Sequence, residues 1–113
     1  VWLAPITESP DDDYGYAVVG ERSIRPSYGT LEDLRALVDT AHRLGMKVLL
    51  DVVPNHTSVQ HRYFVHAEAH GPRSPYHDFY LRDGTGRHRY ELDWEHLPSL
   101  DYANPEVRRW VQA

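Results

Sequence analysis

Four polar side chains follow a short apolar run in the middle of this chain. The run Val48-Leu49-Leu50 lies within residues 47–53, whose nearly continuous apolar character predicts a buried strand. The polar residues that come soon after it are Asp51, Asn55, His56 and Thr57. Because ligands of parallel α/β folds bind at the carboxyl ends of strands, we expect this protein to do its chemistry at this strand end.

Two apolar strands and one amphipathic helix should hold this segment in place. Residues 1–6 and 47–53 are nearly continuous apolar runs, which predicts strands buried on both faces. Between them, Thr30 and Asp33 have the spacing of a capping box, and Gly45 is a typical stop after a helix. The order strand, helix, strand predicts a βαβ unit with a right-handed crossover.

The connections in this unit are uneven in length. A long polar segment, residues 7–29, follows the first strand, whereas the helix joins the second strand almost directly. In an eight-stranded α/β barrel the loops after strands form the active face. A doubly wound sheet shares this asymmetry, so loop length alone leaves both α/β folds open.

Residues 58–100 have a different composition, which predicts a small irregular insert after the second strand. They hold six of the eight His residues of the chain. Asp83-Gly84-Thr85-Gly86 is typical of a hairpin turn, with residues 79–81 and 90–92 as candidate flanking strands. No amphipathic helix is expected in this segment.

A further helix should begin at Asn104-Pro105-Glu106. Asn is a preferred N-cap, Pro suits the first helical position, and an acid is favourable in the first turn. We expect Val107, Trp110 and Val111 to face inward, so that the chain returns to its scaffold.

Composition excludes several classes of partner. The net charge of −5 and the pI near 5.8 argue against binding to nucleic acid or to an anionic membrane, since both require a basic surface. No apolar stretch is long enough to span a membrane. The lack of Cys slightly favours a reducing compartment such as the cytoplasm. The chain starts at Val1 inside a predicted strand, so we expect a piece of a longer protein.

Several segments, in their order and spacing, resemble the α-amylase family of glycoside hydrolases. They match the family's second barrel strand and its exit, its long second loop, its first signature motif at the third strand, and a short motif near the end of its inserted domain. The matching segments are residues 1–6, Ser9-Pro10, Gly15-Tyr16 to Gly29-Thr30, residues 51–56, residues 97–101 and residues 104–107.

The resemblance implies an α/β fold, a partial (β/α)8 TIM barrel with a small irregular inserted subdomain. Residues 1–57 would hold strand two, helix two and strand three, residues 58–100 the inserted domain B, and residues 101–113 the start of helix three. The family's nucleophilic Asp, acid/base Glu and third Asp lie on strands four, five and seven. None of these strands is in this chain, so we expect no catalysis by this chain alone.

The function implied is retaining hydrolysis or transglycosylation of α-glucans, maltooligosaccharides or α-glucosides. His56 would hydrogen-bond hydroxyls of the sugar at the cleavage point, and the ring of Tyr16 would lie under that sugar. Asp13 would hold the non-reducing-end sugar, and Asp51 would support the site through a cation on another strand. Without the resemblance, each residue also has a simpler role. His56 could be a strand-end His that caps the backbone, Tyr16 a core aromatic, and Asp13 a solvated loop acid.

Asn55 matches a position that often binds calcium in this family. Its side-chain oxygen suits calcium, which takes six to eight oxygen ligands. Many family members lack this metal, and no cluster of acids clearly completes a site, so structural hydrogen bonding is the alternative role. No cofactor is required by the chemistry that the resemblance implies.

The chain departs from the family pattern at several positions. Ala17 follows Tyr16 where Asp is common, Gly20-Glu21 replaces the common Asp-Tyr, and Asp101 stands where Asn is usual. Some sucrose-acting members share the Ala, so linkage preference stays open.

Two other functions remain as alternatives. The first is a His-rich metal-binding protein. His66 and His70 lie one helical turn apart, as in zinc peptidases, but Glu68 does not take the position that those motifs need. The second alternative is a non-catalytic, amylase-like binding subunit. Such relatives tend to lose the pocket residues, whereas four of them are retained here: Tyr16, Asp51, Asn55 and His56.

Overall fold

The computed structural model describes residues 1–10 and 13–113. These residues form two compact units, 1–53 and 54–113. Within the described residues, no helix is long and apolar enough to cross a membrane. The predicted division into residues 1–57, 58–100 and 101–113 stays a prediction.

In the first unit, two short strands pair in parallel. β1 (Trp2–Leu3) lies beside β4 (Leu49–Leu50), with Trp2 opposite Leu49. The connection between them contains helix α1 (Leu31–Arg43), which confirms the predicted strand–helix–strand order. The prediction that both strands are buried is wrong for this chain, since Trp2 is 74% exposed and Leu49 is 62% exposed. Among the described residues, each strand has only one neighbour in its sheet.

The segment between β1 and α1 is more regular than the sequence suggests. β2 (Thr7–Glu8) pairs antiparallel with β3 (Gly20–Ile24), with a register shift between Thr7 and Glu8. Ser23 Oγ donates a hydrogen bond of 2.8 Å to Glu8 Oε2 across the pair. The two paired segments are short and polar, and they are separated in the chain. They therefore show no alternation of apolar and polar residues, so the sequence predicts only a loop over residues 7–29.

Helix α1 begins and ends as predicted. The Thr30 hydroxyl accepts a hydrogen bond from the Asp33 amide, and the Asp33 carboxylate accepts one from the Thr30 amide, which completes the capping box. The hydrogen bond from the Thr30 amide, and then one that the Thr30 hydroxyl donates to the same carboxylate oxygen, lower the pKa of the Asp33 carboxyl. At the other end Gly45 takes a φ of 73°, which an L side chain rarely adopts.

The second unit contains a helix that the sequence did not reveal. α2 (Arg62–His70) begins at the N-cap His61, whose Nδ1 accepts a hydrogen bond of 3.2 Å from the Tyr63 amide. His is not among the usual N-cap residues, so no start signal marked this helix. α2 buries Phe64 and Ala67.

An aromatic core holds this unit together. Its buried residues are Phe64, Phe79, Tyr80, Leu100 and Val107. Around it, the rings of Tyr63 and Tyr76 stack with their centroids 3.9 Å apart. Edge-to-face contacts such as that between Phe64 and Tyr80, at 5.0 Å, add to the stability from burial.

The predicted hairpin turn is present, but neither of its predicted flanking strands is. Phe79 ends a 3-10 turn, and Tyr80 forms only an isolated bridge with Leu100. Asp83 Oδ1 accepts hydrogen bonds from the amides of Thr85 and Arg87, and Arg82 pairs with His88. The glycines at the tip, Gly84 and Gly86, lie in open space. Residues 90–92 are not a strand: Glu91–Asp93 is a 3-10 turn, with Leu92 at φ 48° and Asp93 at φ 61°.

Helix α3 (Pro105–Gln112) begins as predicted, with Asn104 Oδ1 accepting a hydrogen bond of 2.9 Å from the Glu106 amide. Val107 is fully buried and Trp110 packs against the aromatic core. The inward orientation predicted for Val111 is wrong, because this side chain is 37% exposed. Val107 and Val111 are separated by a full turn, and only the first of them reaches the core.

Replacing Thr30 with Ala should destabilise the protein by roughly 0.5–2 kcal/mol, because the Asp33 amide loses its hydrogen-bond acceptor. Thr30→Ser keeps the hydroxyl and should stay close to wild type. The free energy of unfolding in urea measures both variants. Equal losses for Ala and Ser would show that the cap does not contribute.

Candidate functional site

Tyr16 and Asp51 meet at the end of the parallel strand pair. Asp51 directly follows β4, and Tyr16 lies in the long connection after β1. The Tyr16 hydroxyl donates a hydrogen bond of 3.1 Å to Asp51 Oδ2. Two of the predicted site residues, 35 positions apart in sequence, are therefore in direct contact.

The contact changes the electrostatics of the Tyr16 hydroxyl. Its hydrogen bond to Asp51, and then the negative charge of that carboxylate, raise the pKa of Tyr16 above its usual value. The phenol is thus held neutral and acts as the donor. Its side chain stays 39% exposed, so its ring is accessible at the surface of this unit.

The backbone before Tyr16 requires glycine at one position. Gly15 has a φ of 95°, and a Cβ on this residue would lie 2.4 Å from the carbonyl oxygen of Pro5. Any other residue would therefore have to move this loop off the strand exit. The Tyr16 amide closes the turn with a hydrogen bond of 3.2 Å to the Asp13 carbonyl. The turn at Gly15 therefore fixes the backbone position from which the Tyr16 side chain extends.

Asp13 lies in the same turn and is partly buried. Its predicted contact with a non-reducing-end sugar stays a prediction. The neighbouring acids Asp11 and Asp12, which the sequence grouped with it as a polar loop, lie outside the described residues.

In the second unit, Asn55 and His56 are tied to the end of the insert. The Asn55 side-chain amide donates to Glu91 Oε2, and the backbone carbonyl of Asn55 accepts a hydrogen bond of 3.0 Å from the Leu100 amide. His56 pairs with Ser99 as a β-bridge and is 7% exposed. Residues 55–57 and residues 97–101 are therefore joined by an isolated bridge and by backbone hydrogen bonds.

Glu91 is a site residue that the sequence analysis missed. It reaches Asn55 across 36 positions of the chain. The sequence placed it in a flanking strand, and no local signal distinguishes it from the other acids of the insert.

The contact between Asn55 and Glu91 is not a calcium site. Asn55 meets Glu91 through its amide nitrogen, which donates a hydrogen bond, whereas calcium takes six to eight oxygens. Across residues 1–10 and 13–113, no group of three or more His, Asp or Glu is arranged to hold a metal ion. Calcium binding at Asn55 stays a prediction.

The zinc-peptidase alternative lacks the geometry that it needs. Glu68 lies on a different face of α2 from His66 and His70, and its Oε1 is 2.7 Å from His88 Nε2. The same carboxylate oxygen is 3.6 Å from Arg82 Nη2. A glutamate held in this way does not face an ion bound by the two His residues.

An apolar cleft of 380 Å³ lies elsewhere in the first unit, between β1 and α1. Its lining includes Leu3, Ile24, Leu34 and Leu37, and it contains none of the predicted site residues. Aliphatic side chains of a strand and a helix form its walls, so it is a packing space between these elements.

The whole chain, residues 1–113, matches the α-amylase family described as "Alpha amylase, catalytic domain", and the chain belongs to that family. Its relatives include trehalose-6-phosphate hydrolase of Bacillus subtilis, which is 47% identical over 136 residues and covers 98% of this chain. Alpha-amylase 3 of Dictyoglomus thermophilum is 37% identical over 126 residues and covers 99% of this chain. The chain spans 24% and 25% of the lengths of these two relatives.

Solved structures agree with this assignment. An α-amylase from H. orenii superposes with a TM-score of 0.84 at 37% identity, over 97% of this chain and 26% of that one. The trehalose-6-phosphate hydrolase of Bacillus licheniformis gives a TM-score of 0.82 at 32% identity, over 97% of this chain and 24% of that one. The α/β TIM-barrel fold expected from the resemblance is thereby supported at the level of the family.

Replacing Asp51 with Asn should lower the pKa of Tyr16 toward its usual value of about 10, because the carboxylate that raises it is gone. A raised pKa in the folded state stabilises the protein below the usual pKa, and this contribution is lost as the pH rises through the raised value. The wild type should therefore lose stability more steeply in alkali than Asp51→Asn does.

Carbon NMR of ring-labelled tyrosine measures this titration, with Tyr16→Phe to assign the signal. Asp39→Asn, which removes an exposed carboxylate on α1, is the matched control and should leave Tyr16 unchanged. An identical Tyr16 titration in Asp51→Asn and wild type would contradict the assigned contact.

Proposed function

We propose that this chain contributes part of the substrate-binding face of a retaining α-glycoside hydrolase or transglycosylase. The substrates would be α-glucans, maltooligosaccharides or α-glucosides. The observation that carries the proposal is the hydrogen bond from Tyr16 to Asp51 at the exit of the parallel strands. It joins an exposed ring, suited to stacking on a sugar, to a carboxylate that holds the ring in place.

The relatives support both reaction types. They include Oligo-1,6-glucosidase and Maltase 1, as well as Trehalose synthase/amylase TreS of Mycolicibacterium smegmatis. An isomaltulose synthase from Klebsiella sp. LX3 is among the similar structures. Because these proteins either hydrolyse or rearrange glucosides according to their names, the proposal includes transfer to a sugar acceptor as well as to water.

The proposed architecture places this chain in one part of a (β/α)8 barrel. β1 and β4 would be the barrel's second and third strands, α1 the helix between them, and α3 the start of the third helix. Residues 58–100 would be the inserted subdomain. The nucleophile and the acid/base would come from strands outside residues 1–113, and a covalent glycosyl–enzyme intermediate would form on them.

Each predicted site residue would have a separate role in binding the substrate. The Tyr16 ring would lie against the apolar face of a sugar, while its hydroxyl stays bound to Asp51. The second oxygen of the Asp51 carboxylate would be available to a cation from another part of the barrel. Asp13 would hydrogen-bond a terminal sugar hydroxyl.

His56 would hydrogen-bond a sugar hydroxyl more strongly in the transition state than in the ground state. Such hydrogen bonds supply several kcal/mol in glycoside cleavage. His56 is well placed to be rigid, since it is buried and its backbone pairs with Ser99. A side chain that is already ordered loses little entropy when the sugar binds.

The partners proposed are oligosaccharides or α-glucosides, without nucleic acid or membrane, as the net charge of −5 favours. Calcium at Asn55 is part of the proposal as an optional ion, and no cofactor is required. The cytoplasm is the location that the Cys-free composition slightly favours.

In the complete enzyme, His56→Ala should reduce kcat/KM by about tenfold or more, which corresponds to about 1.4 kcal/mol of lost transition-state stabilisation. Initial rates on maltooligosaccharides and sucrose measure the effect. His42→Ala, which changes an exposed His on α1, is the matched control and should keep wild-type rates. Unchanged kcat/KM for His56→Ala on both substrates would remove the proposed role, provided that thermal unfolding shows both variants folded.

Tyr16→Ala should also lower kcat/KM by about tenfold or more, because the stacking ring is lost. Tyr16→Phe keeps the ring and removes only the bond to Asp51, so its loss should be clearly smaller. The same rate assays compare the two variants. Equal losses would indicate that the hydroxyl, and not the ring, contributes to catalysis.

A further inference from the structure

Two His side chains lie side by side on helix α2. His66 and His70 are four positions apart, which places them on one face of the helix. Their rings are stacked, with centroids 4.1 Å apart and planes inclined by 19°. From this arrangement we propose that His66 and His70 form a binding site for a transition-metal ion such as Zn²⁺, Cu²⁺ or Ni²⁺. These are ions for which imidazole is a preferred ligand.

The hydrogen bond of His70 leaves the correct nitrogen available. Its Nδ1 is 3.0 Å from the carbonyl oxygen of His66, and a carbonyl can only accept. Nδ1 therefore carries the proton, and in the neutral ring Nε2 carries the lone pair. Metal-binding His residues usually donate their other N–H to a carbonyl or carboxylate in this way. The supporting contact of a metal ligand is thus present before any ion binds.

His66 is supported from the other side by Ser74. The Ser74 hydroxyl lies 2.8 Å from His66 Nδ1 and also accepts a hydrogen bond of 3.1 Å from the Tyr76 amide. Ser74 is buried, and the His66 ring makes an edge-to-face contact with Tyr76. A hydroxyl can accept as well as donate, so Ser74 permits the form of His66 whose Nε2 binds a metal. His66 is the fixed ligand of the pair.

His70 is the ligand that moves. The two rings are stacked face to face, so a shared ion requires one ring to turn until both Nε2 lone pairs point at it. His70 is exposed, and the torsion that turns an imidazole ring is soft. In the part of the chain that the structure describes, no hydrogen bond reaches Nε2 of either ring.

The site would have two protein ligands, with water completing the coordination. Glu68 is excluded as a third ligand by its contact with His88. A site of this kind is open, and its affinity comes from two imidazoles that bind one ion together. The ion would join the last two turns of α2 and stabilise the folded form by mass action.

The test is a Zn²⁺ titration of the protein, without a polyhistidine tag, by isothermal calorimetry at neutral pH. We expect one ion bound per chain, and an affinity at least tenfold lower in His66→Ala and in His70→Ala. His42→Ala removes an exposed His with no His one turn away and should bind like the wild type. Wild-type affinity in the two α2 variants, or no stoichiometric binding by the wild type, would overturn the proposal.

Imidazole nitrogen NMR keeps the test independent of folding in the variants. In the wild type, Zn²⁺ should shift the Nε2 signals of His66 and His70 together, at a single stoichiometry. A shift confined to other His residues would rule out this site. The expected increase in Tm with Zn²⁺ should also disappear in His70→Ala.

Discussion

The backbone hydrogen bonds between β1 and β4 determine the candidate site in the first unit. The Leu49 amide donates to the Val1 carbonyl at 2.8 Å, and the Asp51 amide donates to the Leu3 carbonyl at 3.0 Å. The second bond fixes Asp51 at the strand exit, beside the point where the chain leaves β1. Because parallel strands end at the same edge, the loop that carries Tyr16 starts next to Asp51. Strand pairing therefore brings the ring and the carboxylate together.

The two units order their polar groups by the same physical means. A carboxylate accepts from a neutral donor in each: Asp51 from the Tyr16 hydroxyl, and Glu91 from the Asn55 amide. Hydrogen bonds to a charged group are stronger than those between neutral groups, so they can hold a side chain on a loop. In both units the donor is a residue that the family resemblance associates with substrate or metal.

The sequence predicts the elements whose signals are local. Thr30 with Asp33, Asn104 with Glu106, and Asp83 with Thr85 each satisfy backbone groups within three residues, and all three contacts are present. Prediction from the sequence fails where the interacting residues are far apart in the chain or where the residue type is unusual for its role. α2 starts at a His N-cap, and Glu91 meets Asn55 across 36 positions.

Burial was also beyond local prediction. The apolar runs of β1 and β4 indicate strands correctly, yet their exposure depends on neighbours that no residue within the run specifies. Their contribution to the candidate site, in contrast, followed from the rule that ligands bind at strand ends, which needs only the order of the elements.

The hairpin tip at Gly84 and Gly86 gives the insert a place where its length can change. An added Cβ at either glycine would meet no atom within 4 Å, and the aromatic core takes no residue from the tip. Insertions at Gly84 would alter the reach of the hairpin and keep its base, where Arg82 pairs with His88 and donates a hydrogen bond to the Gly86 carbonyl. Evolution, or an engineer grafting a new loop, can therefore vary this end of the insert while the rest keeps its structure.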